Sequence, residues 1–94
     1  MQSKSIYKIP GGKLLKIYLE FDENKNLIKN ISIMGDFFAY PEEAIEIIEK
    51  ELKNTILEKK ILFEKIFSII NKENFEFIGL TAEGLTEGIL RCLN

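Results

Sequence analysis

The chain has 94 residues, 46% of them hydrophobic and 30% charged, with a formal net charge of −2; this gives one compact core and excludes intrinsic disorder. No apolar run reaches the roughly 18 residues of a membrane-spanning helix, and so small a charge argues against wrapping nucleic acid. Histidine is absent and Cys92 is the single cysteine, so the usual general base, a cysteine-based metal or iron–sulfur site and an internal disulfide are all missing.

Residues 1–94 are read as a single domain. Met1-Gln2-Ser3-Lys4-Ser5 leads into no continuous apolar stretch of signal type, so a cytoplasmic chain is expected. Lys4, Lys8, Lys13 and Lys16 make the first 19 residues basic, with no acid among them. Ser5 to Ile9 is a possible first strand. Pro10-Gly11-Gly12 ends it, because proline removes a ladder donor and the glycines permit backbone angles closed to other residues. From Leu14 to Asp22 the pattern has period two, with Leu15, Ile17, Leu19 and Phe21 on one face and Lys16, Tyr18, Glu20 and Asp22 on the other. That is a half-buried strand. Glu23-Asn24-Lys25-Asn26 supplies a turn, and Leu27 to Met34, rich in isoleucine, pairs back as the other arm of an antiparallel hairpin.

Pro41 suits the first position of a helix, where Glu42 and Glu43 favour the helix dipole and Ile45, Ile48 and Leu52 follow at helical spacing. The acidic run from Glu42 to Glu51 reads as its solvated face. After a pause near Asn54-Thr55, Leu57 to Ile70 forms a second helix. Its Leu62, Phe63, Ile66, Phe67, Ile69 and Ile70 cover more than half the circumference, which makes it the expected most buried helix. Phe75 to Ile78 is a short apolar linker or strand. Thr81 caps a last helix carrying Leu85, Ile89, Leu90 and Leu93, with Glu87 and Arg91 paired on its outside. Gly84 and Gly88, one turn apart, predict close backbone packing, and Cys92 reads as a small buried apolar residue. The class is α+β, a small antiparallel three-stranded sheet covered by three helices.

Two loops hold residues that core packing does not demand. Lys8-Ile9-Pro10-Gly11-Gly12-Lys13 is either a tight structural turn or a concave nest of N–H groups for an anion, although it lacks the Gly-Lys-Ser/Thr ending of a phosphate-binding loop. Gly35-Asp36-Phe37-Phe38-Ala39-Tyr40-Pro41 places three aromatics in four positions of a connection. Those phenylalanines either tuck under the sheet, with Asp36 accepting backbone hydrogen bonds, or anchor a partner.

Both loops carry a resemblance to the accessory domain of lipoate-protein ligases, which is fused to the catalytic domain in some organisms and a separate subunit in others. The residues concerned are Tyr7-Lys8-Ile9-Pro10-Gly11-Gly12-Lys13-Leu14, the strand from Leu27 to Ile33, Gly35-Asp36-Phe37-Phe38 with Pro41, and Gly79-Leu80-Thr81. The length resembles the free-standing form, since no catalytic domain precedes residue 1. The resemblance implies a non-catalytic subunit with no activity alone, which forms a heterodimer with a catalytic subunit and through it serves a lipoyl domain; it touches no nucleic acid and no membrane. In such ligases lipoate and ATP give lipoyl-adenylate with magnesium, none of them held by this chain alone. On that footing the two loops, with Lys8, Gly11, Gly12, Lys13, Gly35, Asp36, Phe37 and Phe38, are expected to face the catalytic subunit near its nucleotide site, Lys8 or Lys13 adding positive potential and Phe37 and Phe38 anchoring the docking. The element order also resembles the iron–sulfur cluster scaffold fold. Against a scaffold role stands the absence of cysteines at the corresponding loop, where Asp36-Phe37-Phe38 lies instead. An interaction module of another kind is the remaining alternative.

Overall fold

A computed structural model describes residues 1–93. Three strands, β1 (Gln2–Lys8), β2 (Leu14–Asp22) and β3 (Leu27–Gly35), form an antiparallel sheet in the order β1-β2-β3. A second, two-stranded ribbon pairs β4 (Phe38–Tyr40) with β5 (Glu76–Ile78). The helices are α1 (Ala44–Glu51), α2 (Lys59–Glu73) and α3 (Ala82–Arg91). The expected α+β architecture is therefore present, with the ribbon as an addition.

Alternation decides which face of the sheet is packed. Leu15, Ile17 and Leu19 of β2 and Ile31 and Ile33 of β3 are buried beneath the helices. The β3 sequence breaks period two, because Ile28 and Ile31 are three apart. A register shift reconciles them: Glu20 pairs with Asn30 but Phe21 pairs with Ile28, leaving Lys29 as the extra residue of a bulge. Ile28 thereby turns inward and is fully buried, while Lys29 and Asn30 are both exposed. In the β2–β3 turn the backbone N–H groups of Lys25 and Asn24 donate to the Asp22 carboxylate, and the Lys25 bond is the main reason this acid sits below its ordinary range.

α3 presses closest to the sheet, and glycine makes that possible. A methyl group at Gly84 would stand 2.8–3.0 Å from three atoms of Ile9, and one at Gly88 would stand 2.7 Å from Leu15 Cδ2 and 3.0 Å from Ile17 Cδ1. The edge strand is drawn in as well, since Ser5 Oγ donates to the Gly88 carbonyl at 2.7 Å. At its start, Thr81 Oγ1 accepts from the Gly84 N–H at 2.9 Å, the expected cap. Arg91 reaches Glu87 at 3.4 Å one turn away. Cys92 is buried, and that burial pushes its thiol up, so it behaves as a small core residue.

Two helix expectations need correction. α3, not α2, is the most buried helix. It hides six of its ten residues, whereas α2 hides Leu62, Ile66 and Ile69 of fifteen. Apolar positions cover most of the α2 circumference, yet α2 meets its neighbours α3 and α1 on one side only, so Phe67 remains 51% exposed and stacks on Phe63 at 5.7 Å instead. Pro41, in turn, is not the first residue of α1. It follows a cis peptide bond and opens a turn in which its carbonyl accepts from the Ala44 N–H, where the helix begins.

Gly84→Ala is expected to lower stability by about 1–2 kcal/mol despite the better helix propensity of alanine, because overpacking against Ile9 outweighs a gain of about 1 kcal/mol. Urea unfolding midpoints measure this. The penalty should shrink when Ile9→Ala is present too, as a double-mutant cycle would register.

Candidate functional site

At one end of the sheet the chain's two unusual loops come together, and the backbone shows how. Between β1 and β2, Gly11 has φ +73°, the Gly12 N–H donates to the Ile9 carbonyl at 2.8 Å, and the Ile9 N–H donates to the Lys13 carbonyl at 3.2 Å. The Lys13 N–H donates to the Gly79 carbonyl at 3.0 Å. On the other side, the Asp36 N–H donates to the Leu14 carbonyl at 3.2 Å. Lys13 and Leu14 are thus clamped between Gly79 and Asp36, and three segments distant in sequence share one end of the molecule.

The N–H groups of Gly12 and Lys13 are therefore spent on internal carbonyls. The Lys8 ammonium donates to the carbonyls of Ile9 and Gly12, closing the turn over itself. This hydrogen bonding matches the tight structural turn rather than an anion nest. Lys13 keeps its side chain exposed, with its stem lying where a side chain at Gly79 would be. Gly79 has φ +89°, so both its backbone angle and the Lys13 stem demand glycine.

In the second loop, Phe37 and Phe38 part ways. The Phe37 ring folds back over Gly35, where an added Cβ would stand 2.9 Å from Cε2 of that ring, and it packs against the core while staying partly exposed. Phe38 instead points out at 60% exposure. Asp36 is held by its main chain, and no side-chain hydrogen bond engages its carboxylate among the described residues. The tucked and outward arrangements both occur, one for each phenylalanine.

Sequence reasoning did not foresee that Phe38 lies in a strand. Phe38 pairs with Ile78, Ala39 with Phe77 and Tyr40 with Glu76. Alternation turns Ala39 and Phe77 toward the core and leaves Phe38, Tyr40 and Ile78 exposed. The apolar run from Phe75 to Ile78 was the available signal, but its partner lies some forty residues away, beyond any local pattern. A cleft of about 530 Å³ also opens beside the turn, lined by Tyr7, Ile9, Pro10 and Phe63 with Glu83 and Glu87 at the first turns of α3. Among the described residues no group of three or more Cys, Asp or Glu side chains is arranged to hold a metal ion, and no helix is long and apolar enough to cross a membrane.

Comparison with known proteins gives concordant matches. Residues 7–89 match a family described as bacterial lipoate protein ligase C-terminus. Lipoate-protein ligase A subunit 2 of Thermoplasma acidophilum is 41% identical over 46 residues, which are 49% of this chain and 47% of that protein, so the match spans about half the length of this curated relative. A chain from the solved archaeal lipoylation system of Thermoplasma acidophilum, a bi-partite lipoate protein ligase and its E2 lipoyl domain, is 28% identical. It superposes with a TM-score of 0.80 over 95% of this chain and 94% of its own.

Gly79→Ala tests whether the Gly79 clamp positions the turn. It is expected to cost about 1–3 kcal/mol from the positive φ alone and to shift the backbone amide resonance of Lys13 more than that of residues in α2. Unchanged Lys13 signals in a folded variant would show that the clamp does not position the turn.

Proposed function

Because the chain belongs to the bacterial lipoate protein ligase C-terminus family, matched over residues 7–89, we propose that it is the accessory subunit of a two-part lipoate-protein ligase, pairing with a separate catalytic subunit for ATP-dependent adenylation of lipoate. The observation that carries this reading is that its fold is shared over 95% of the chain with a polypeptide of a bi-partite ligase. The absence of histidine supports a helper rather than a catalyst. The fold alone would also suit an iron–sulfur scaffold, but a chain with one buried cysteine offers no thiolate set for a cluster.

Adenylation joins a carboxylate oxygen of lipoate to the α-phosphorus of ATP and expels pyrophosphate; the acyl group then passes to a lysine of a lipoyl domain. The step depends on holding the two substrates in line, offsetting negative charge and keeping water from the mixed anhydride. A second protein surface that closes over the site meets these needs without donating a nucleophile. In this reading the turn from Lys8 to Lys13 and the segment from Gly35 to Phe38 face the catalytic subunit near its nucleotide site. Lys13 adds positive potential there, and Phe38, with Tyr40 and Ile78 beside it on the ribbon, enters an apolar pocket of the partner. Lys8, Gly11, Gly12, Gly35, Asp36 and Phe37 shape these two segments. ATP, lipoate and magnesium bind in the assembled ligase rather than to this chain alone. The pair works in the cytoplasm.

Alanine substitution separates the two phenylalanines. Phe38→Ala is expected to leave the melting temperature unchanged and to reduce lipoate-dependent ATP–pyrophosphate exchange with the catalytic subunit by roughly ten-fold at limiting accessory subunit. Phe37→Ala should lose stability first, by about 1–3 kcal/mol for a half-buried ring. Lys13→Ala is expected to lower exchange more modestly and to blunt its salt dependence. Full exchange activity in Phe38→Ala and Lys13→Ala together would end this assignment.

A further inference from the structure

The three-stranded sheet has a second face that nothing in the described chain covers. The helices pack the side that bears Leu15, Ile17 and Leu19; on the other side, cross-strand pairing lines up Ile6, Lys16 and Met34 in one row and Lys4, Tyr18 and Ser32 in the next. Leu14 precedes them on β2. Ile6 is 61% exposed, Met34 45%, Leu14 44% and Tyr18 41%, and the Lys16 ammonium lies 5.8 Å from the centre of the Tyr18 ring. An isoleucine, a leucine, a methionine and a tyrosine surround Lys16 on one bare sheet face, an exposed apolar patch with a polar setting of the kind that marks an interaction surface.

The charge on this face is opposite in sign to that of the molecule. The chain carries −2 overall, yet β1 and β2 place Lys4, Lys8 and Lys16 there against Glu20 and, at the far end of β2, Asp22; Glu20 accepts from Asn30 Nδ2 at 2.8 Å and Asp22 from the turn N–H groups of Asn24 and Lys25. The surplus acids, Glu42, Glu43, Glu46, Glu49 and Glu51, lie in and before α1. A second copy of this chain is a poor occupant, because a two-fold axis through the sheet would set lysine rows against each other. The complementary surface is apolar with carboxylates at its rim.

We propose that this bare face, from Lys4 and Ile6 across Lys16 and Tyr18 to Met34, is where the catalytic subunit docks, through an apolar surface edged by carboxylates. This rests on the accessory-subunit reading and gives it a division of labour. Three strands about 4.8 Å apart and about seven residues long at about 3.3 Å per residue give a plane of roughly 300 Å². A standard interface needs roughly 800 Å² per partner. The footprint therefore runs on past Leu14 to the turn and ribbon, so that the sheet supplies affinity and the turn end closes the reaction site.

Titration calorimetry with the purified ligase catalytic subunit of the same organism tests this. Lys4→Glu with Lys16→Glu, and separately Ile6→Asp with Met34→Asp, are expected to weaken binding by ten-fold or more, while exchange activity at saturating accessory subunit stays near that of the parent. Ile61→Asp with Phe67→Asp, an equally exposed apolar pair on α2, should bind as the parent does. In the charge-reversal pair Lys4 is exposed and Lys16 half-exposed, with neither in the core, so this pair, its fold checked by circular dichroism, keeps the test valid if the aspartate pair misfolds. Parent-like binding by the charge-reversal pair overturns the proposal and leaves the accessory reading standing; so does weakening confined to the α2 pair. If sedimentation shows the chain alone to be a dimer that Lys4→Glu with Lys16→Glu alters, the face belongs to a second copy. Failure of the parent chain to bind the catalytic subunit at all removes the accessory reading itself, and this proposal with it.

Discussion

The close seat of α3 on the inner face of the sheet is the contact from which the rest of the arrangement follows. Two glycines bring the helix backbone to within van der Waals reach of Ile9, Leu15 and Ile17, and buried Leu85 and Ile89 fill the space on either side. Ile9 is both a core residue and the start of the β1–β2 turn, so packing fixes the turn from below. Gly79, two residues before the Thr81 cap, then holds Lys13 from the side. Core and candidate site are one structure here: an error in the helix seat is transmitted to the turn through a single side chain.

Much of this was written in local pattern. The β2 strand from Leu14 to Asp22 follows from strict alternation, the α3 cap from Thr81 ahead of an apolar helical stripe, and the helix–sheet approach from the spacing of Gly84 and Gly88. Where the reading failed, the decisive fact was not local. The bulge at Lys29 is set by the need to bury Ile28 opposite Phe21. The burial of α2 depends on which side α3 and α1 occupy, which its own sequence does not encode. The ribbon needs partners from either side of α1 and α2 in the chain, and the Pro41 turn interposes residues that helix signals alone would merge with α1.

The candidate site divides in the same way. That Lys8 to Lys13 and Gly35 to Phe38 are unusual was legible from composition; that they meet is a consequence of β2 starting where β3 ends. The outward Phe38 comes from strand alternation in β4, invisible until its partner is known, whereas Phe37, just ahead of that strand, folds back over Gly35. An anion nest was chemically reasonable for Gly11-Gly12, yet the same N–H groups also suit a closed turn, and only the hydrogen-bond partners discriminate. The resulting molecule has two unlike sides, a helical layer bearing most of the acids and a bare basic sheet. That polarity orients it against another protein before any specific contact forms.

The β4–β5 ribbon has one more consequence. Phe38 and Tyr40 come from the first half of the polypeptide and Ile78 from the last quarter, so the hydrophobic tip they make exists only after the whole chain has condensed. A companion gripping that tip would reject partly folded or clipped molecules. By mass action it would also draw the folded population upward, which makes recognition a form of quality control.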